Sequence, residues 1–122
     1  MPLAAAMLFV NDLERMTAFY RDVLELQPIE ETRLVDWIEF RADGVRFSLH
    51  AIPAAVAAEV PIESPPAPRE QSSVKLTFTV PDVEAALKKI QQMGLPVTRR
   101  EWGATEAIDP EGNIFVISCE PN

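Results

Sequence analysis

The chain is written twice. Val10-Asn11-Asp12-Leu13-Glu14 returns 70 residues later as Val80-Pro81-Asp82-Val83-Glu84. Leu26-Gln27-Pro28-Ile29 is echoed by Leu95-Pro96-Val97, with the leucines 69 apart. Gly44-Val45-Arg46-Phe47-Ser48-Leu49 lies over Gly112-Asn113-Ile114-Phe115-Val116-Ile117, 68 apart. An offset that drifts by two residues over half of a 122-residue chain marks two copies of one supersecondary unit.

Each copy opens with a strand. Residues 74–80 alternate strictly between apolar and polar, the period of a half-buried strand, and residues 5–10 are their counterpart. Asp12 and Asp82 then stand where an N-cap carboxylate accepts helix N–H groups. The first helix is expected over about 12–24, with a stripe of Leu13, Met16, Phe19 or Tyr20, Val23 and Leu24. The second is expected over about 82–93, with Val83, Ala86, Leu87 and Ile90 on its stripe and Gly94 as its stop. Three strands follow each helix, at roughly 29–35, 36–42 and 45–51, then 96–101, 104–108 and 113–119. The unit is βαβββ. Module one spans about 1–52 and module two about 69–122. Residues 53–68 between them hold 5 of the 11 prolines and no glycine, which makes a stiff connector, with a short helical turn over Ala54 to Val60.

Composition narrows the function classes. The length is that of one domain, and folding buries roughly two thirds of the unfolded surface at this size. Lys+Arg 11 against Asp+Glu 19 leaves a net charge of −8, which opposes binding to phosphate backbones or anionic lipid. No apolar run approaches the roughly 20 residues of a membrane span. Met1 to Val10 lacks a cationic start and reads as a strand rather than a signal peptide. Cys119 is the single cysteine, so no internal disulfide and no cysteine-based zinc site forms. The default is a cytoplasmic protein.

Asp43-Gly44 is a two-residue hairpin signal, and it sets a register. Ala42 pairs with Val45, Arg41 with Arg46, Phe40 with Phe47, Glu39 with Ser48, Ile38 with Leu49, and Trp37 with His50. Alternation then sends Ile38, Phe40, Phe47 and Leu49 under the helix, and Trp37, Glu39, Arg41, Arg46, Ser48 and His50 to the other face. Ala6, Leu8 and Val10 face the helix, while Ala5, Met7 and Phe9 face away. In module two Leu76, Phe78, Val80, Phe115 and Ile117 face the helix. Lys75, Thr77, Thr79, Ile114, Val116 and Ser118 face away. A second face that mixes aromatics, hydroxyls and a few charges suits a small-molecule pocket.

Val10-Asn11-Asp12-Leu13-Glu14-Arg15 with Phe19-Tyr20-Arg21-Asp22-Val23-Leu24-Glu25-Leu26 resembles the opening module of the vicinal oxygen chelate superfamily. That superfamily holds glyoxalases, bleomycin-resistance proteins, ring-cleaving dioxygenases and fosfomycin-resistance enzymes. Val80-Pro81-Asp82-Val83, Gly94-Leu95-Pro96-Val97, Trp102-Gly103 and Asp109-Pro110-Glu111-Gly112-Asn113 resemble its second module. The resemblance implies an α+β fold of paired βαβββ modules, with a curved mixed sheet around a cleft, and a homodimer. It also implies a divalent metal held by His, Glu or Gln on the first and last strand of each module. Those places carry Ala5, Ser48, Lys75 and Val116 here, and alanine and valine have no donor atom.

Individual residues carry paired readings. His50, the only histidine, is a candidate general base or a strand-end residue bonded to backbone or water. Glu39 is a candidate base or the partner of Arg41 or Arg46. Trp37 and Trp102 are candidates for stacking on a ligand or for packing, with Phe9, Ser48, Thr77 and Glu106 beside them on the pocket side. Lys75 is read as the replacement for a metal's charge, holding an anionic ligand, or as an exposed strand lysine. Tyr20 is read as core and Cys119 as buried and unreactive. The leading expectation is a metal-free protein that binds a small cationic or aromatic molecule, with no cofactor. The alternatives are a divalent-metal-dependent lyase, isomerase or dioxygenase, and a metal-free enzyme with Glu39 or His50 as base.

Overall fold

The computed structural model describes residues 1–59 and 61–119. The chain divides into two compact units, Met1–Pro61 and Ile62–Asn122, and each holds one βαβββ copy. In the first unit β1 (Ala5–Val10) leads into α1 (Leu13–Asp22), then β2 (Gln27–Leu34), β3 (Trp37–Ala42), β4 (Val45–Ala51) and the short α2 (Ala54–Ala57). In the second, β5 (Leu76–Val80) leads into α3 (Val83–Gln92), then β6 (Val97–Arg99), β7 (Thr105–Ile108) and β8 (Ile114–Cys119). The strand orders are β1-β4-β3-β2 and β5-β8-β7-β6. In each sheet the first strand runs parallel to the last and the remaining pairs are antiparallel, so both sheets are mixed.

The helices start where the carboxylates end the preceding strands. Asp12 accepts the Arg15 N–H at 3.1 Å, and Asp82 accepts the Ala85 N–H at 3.1 Å. Glu14 and Glu84 add negative charge to the two first turns, where the helix dipole favours it. Because the two caps are equivalent, Asp12→Ala and Asp82→Ala should each lower stability by about 1 kcal/mol. Urea unfolding of the two variants tests this, and unequal losses would show that the copies do not use the cap alike. Past α3 the chain reverses through Gly94 at φ 78°.

Each sheet packs its own helix. Met16, Phe19 and Tyr20 of α1 are buried with Ile38, Phe40, Phe47 and Leu49. The Tyr20 ring lies 4.9 Å from Phe47 and 6.5 Å from Phe40, centre to centre. In the second unit Ala86, Leu87 and Ile90 of α3 are buried with Phe115 and Ile117, and Phe78 meets Phe115 edge-on at 5.7 Å. Each of the larger apolar side chains among these contributes roughly 1.5–3 kcal/mol of burial.

The structure departs from the sequence reading in several places. The strand expected over 96–101 is only Val97–Arg99, because the backbone turns at Arg100, whose N–H reaches the Ala104 carbonyl at 2.8 Å. The helical turn after Pro53 ends at Ala57, and Val60 lies outside the described residues. Cys119 is exposed, not buried: it is the last residue of β8 and pairs with Val80 at the end of the sheet. Alternation chose its face correctly, but alternation does not say how far the covering helix extends.

Candidate functional site

The helix-free faces carry the site residues in rows. The register of β3 and β4 is the one set by Asp43-Gly44, with Asp43 at φ 54° and Gly44 at φ 92° as a tight two-residue turn requires. Cross-strand neighbours therefore stack Phe9, His50 and Trp37 in one row of the first sheet. Met7, Ser48, Glu39 and Ile29 form the next, and Ala5, Arg46, Arg41 and Gln27 the third. In the second sheet Thr77, Val116, Glu106 and Thr98 form the row that matches the middle one. Phe9, Trp37, Glu39, Ser48 and His50 thus share one face of one sheet. Lys75, Thr77 and Glu106 share the corresponding face of the other.

The first face is apolar at one end. Phe9 is 61% exposed and Met7 is exposed beside it, while Trp37 and His50 are half-buried. The Phe9 and His50 rings are 5.7 Å apart. His50 Nε2 lies 3.4 Å from Asp36 Oδ2, so the imidazole has a carboxylate partner from the β2–β3 turn.

Each unit buries one carboxylate on its helix-free face. Glu39 is 6% exposed. The Thr32 hydroxyl donates to Glu39 Oε1 at 2.9 Å, and Arg46 Nη1 donates to the same oxygen at 3.1 Å. Glu106 is 3% exposed. Lys75 Nζ donates to its Oε2 at 2.6 Å and Arg100 Nε to its Oε1 at 2.9 Å. These bonds, first that from Lys75 and then that from Arg100, hold the Glu106 carboxyl below the usual carboxylate range against the opposing effect of burial. Glu106 is an ionised structural partner, not a base awaiting a proton. Glu39, with the hydroxyl and guanidinium on one oxygen, is ion-paired as one of its two readings has it.

Trp102 stands apart. It lies in the β6–β7 loop, is 74% exposed, and has the Arg100 guanidinium 5.7 Å from its ring centre. Lys75 is neither a free surface lysine nor an unengaged cation, because its ammonium is spent in part on Glu106. Sequence reasoning missed Thr32, Asp36 and Arg100 as partners. Thr32 falls in the irregular stretch where β2 shifts register between Ile29 and Leu34, and Arg100 sits past the end of β6. Neither position follows from strand periodicity.

A divalent metal does not fit the donors present. The four places assigned by the resemblance hold a methyl group, a hydroxyl, an ammonium and an isopropyl group. Among the described residues no group of three or more His, Cys, Asp or Glu comes together. The two inner carboxylates are already matched by cations of the chain itself.

This architecture has relatives. The family model for the glyoxalase/bleomycin resistance protein/dioxygenase superfamily matches residues 3–117. The chain belongs to that superfamily. No curated protein matches it in sequence. Among solved structures, it is similar to a protein of unknown function from Agrobacterium tumefaciens, at 25% identity and a TM-score of 0.67, covering 99% of this chain and 95% of that one. It is similar in fold to the fosfomycin resistance protein FosX from Mesorhizobium loti, at 16% identity and a TM-score of 0.67, over 98% and 92% of the two chains. A lactoylglutathione lyase from Agrobacterium tumefaciens matches at 20% identity and a TM-score of 0.59, over 95% and 91%. Among the described residues no helix of this superfamily member is long and apolar enough to cross a membrane.

Proposed function

We propose that this superfamily member binds a small aromatic molecule on the helix-free face of its first sheet, without a metal held by the protein. One observation carries the reading: Phe9 and Met7 are exposed on that face beside half-buried Trp37 and His50. Exposed aromatic and sulfur-containing side chains in neighbouring rows of one face are costly in water and favourable against a flat apolar ligand. Donor chemistry supports the metal-free part, since Ala5 and Val116 have nothing to offer a cation. A cationic ligand is less well supported than an aromatic one, because Arg46 already matches Glu39, and Lys75 and Arg100 already match Glu106.

The test is a ligand screen by thermal shift, with aromatic compounds on the wild type and on Phe9→Ala and Trp37→Ala. We expect ligands that raise the wild-type melting temperature and lose about tenfold or more in affinity in either variant. Hits that ignore both substitutions would sink the reading. Elemental analysis and titration with zinc, nickel, manganese and iron(II) belong to the same test, and a stoichiometric ion would return the chain to the metal-dependent alternative. The proposed dimer is tested by sedimentation.

A second reading is favoured by the His50–Asp36 pair at 3.4 Å. A carboxylate that orients an imidazole equips it as a general base, and Glu39, held by Arg46 and Thr32, is the weaker candidate for that role. If the bound molecule is turned over, His50→Gln should abolish turnover while Glu39→Gln mainly weakens binding.

A further inference from the structure

Copy two shows what the fold requires at each row, and the row of Arg41 and Arg46 in copy one departs from it in charge. In the second sheet the positions one row beyond Glu106 are Ile108 and Ile114, directly opposite each other. In the first sheet the equivalent positions are Arg41 and Arg46, again directly opposite. The βαβββ unit therefore accepts an apolar pair at this row and has no structural need for two cations. Like charges facing each other across a strand pair are unfavourable. One of the two has a structural duty: Arg46 neutralises buried Glu39. The Arg41 side chain has no hydrogen-bond or ion-pair partner among the described residues, and it is exposed.

Arg41 and Arg46 line an open depression of about 480 Å³ together with Ile29 and the Asp43-Gly44 turn. Asp43 is the one acidic residue of its lining. The chain carries 11 cationic residues against 19 acidic ones, so two arginines in one row, one of them without a structural duty, stand out against the general charge.

We propose that Arg41 and Arg46 form an oxyanion site that takes a carboxylate or phosphate group of the bound molecule. Arginine presents planar donors that match such a group through two bonds at once, and Arg46 keeps donors free beyond the one given to Glu39. The Phe9–His50–Trp37 row lies four residues along the strands from the arginines, about 13 Å at strand rise. An aromatic anion long enough to span the face would thus set its charged end on the arginines and its ring on the aromatic row. This inference rests on the binding face proposed above and adds the charge of the ligand.

The experiment is NMR titration of the full chain with inorganic phosphate, benzoate and 4-biphenylcarboxylate, with benzamide as the neutral comparison and sodium chloride at matched ionic strength. We expect saturable shifts from phosphate and from both carboxylates, focused on residues 41–46, and none of that kind from benzamide or chloride. Arg41→Gln should weaken anion binding by about tenfold or more, while Lys88→Gln on α3 leaves it unchanged. Arg41→Lys, which keeps the charge but loses the fork, should recover only part of it. Because Arg41 has no described partner, its loss should not unfold the chain, and circular dichroism checks that. Phosphate bound at residues 41–46 with no aromatic compound bound anywhere on the face would keep this inference and remove the reading it rests on. Biphenyl compounds that bind the aromatic row equally with and without the carboxylate, and are indifferent to Arg41→Gln, would overturn the inference and keep the binding face. Anion shifts that match chloride, or that centre elsewhere, would also overturn it.

Discussion

Gly112→Ala should destabilise the protein by about 3 kcal/mol and lower its melting temperature by about 10 °C. Gly112 has φ +87°, a conformation that side chains with a Cβ rarely adopt. Its Cβ would also be driven into the backbone carbonyl oxygen of Ala67. That oxygen has little room to retreat. The Arg69 N–H bonds the Gly112 carbonyl at 2.9 Å and Arg69 Nε bonds the Glu111 carbonyl at 2.9 Å, so the end of the proline-rich connector is tied onto the turn. The turn is itself held by fully buried Asp109, whose carboxylate accepts the N–H groups of Glu111 and Asn113 at 2.9 and 3.0 Å and the Asn113 side-chain amide at 2.8 Å. Gly44→Ala is the control. Gly44 has a similar φ of +92°, but nothing lies within 4 Å of its Cβ position. It should lose only the backbone strain, about 1 kcal/mol. The difference between the two, measured by urea unfolding, isolates the Ala67 contact. Equal losses would mean that the connector moves aside freely.

Glu106→Ala should cost about 2–3 kcal/mol at neutral pH. It removes the acceptor of both Lys75 and Arg100 and leaves two cations facing each other beside a cavity. The pH dependence has a definite sign. The folded-state carboxyl of Glu106 is held below its ordinary range, so its contribution is present above the unfolded pKa and is lost as pH falls through the lowered folded value. Stability of the wild type should therefore fall on acidification below the usual carboxylate range, and Glu106→Gln should flatten that fall. Chemical unfolding of the two proteins across the acid range checks it. Parallel curves would show that the ion cluster contributes nothing that titrates. Lys75→Met should have a smaller effect of the same sign, because Arg100 still holds the carboxylate and the lysine is partly open to water.

The copy-to-copy comparison explains why these two sites differ in legibility. Its place ahead of the late turn, on the pocket side, made Glu106 a candidate, but its cations come from outside the repeat's pattern. In copy one the cation is Arg46, from the last strand. In copy two it is Lys75, just before the first strand, with Arg100 from an irregular loop. Strand alternation sorts side chains between two faces and is silent on which long side chain reaches across a row. Glu39 was open between a base and an ion pair for the same reason. The choice depended on whether Arg46 reaches it at 3.1 Å, which is a rotamer and not a register. Cys119 shows the matching limit for burial: its face was readable, its exposure was not.

The sequence by itself determined the βαβββ repeat, both helix caps, the hairpin register and the division of each sheet into a helix side and a helix-free side. All of these follow from local rules with short reach: period-two alternation, a capping carboxylate, and a two-residue turn that admits one pairing. Only the tertiary structure decided which charges neutralise which carboxylates, that the Arg41 side chain has no partner among the described residues, and that the connector locks onto the turn at Gly112. Those outcomes depend on distances of about 3 Å set by side-chain rotamers, by irregular backbone or by residues far apart in the chain, where side-chain reach and backbone contact, rather than pattern, set the energy.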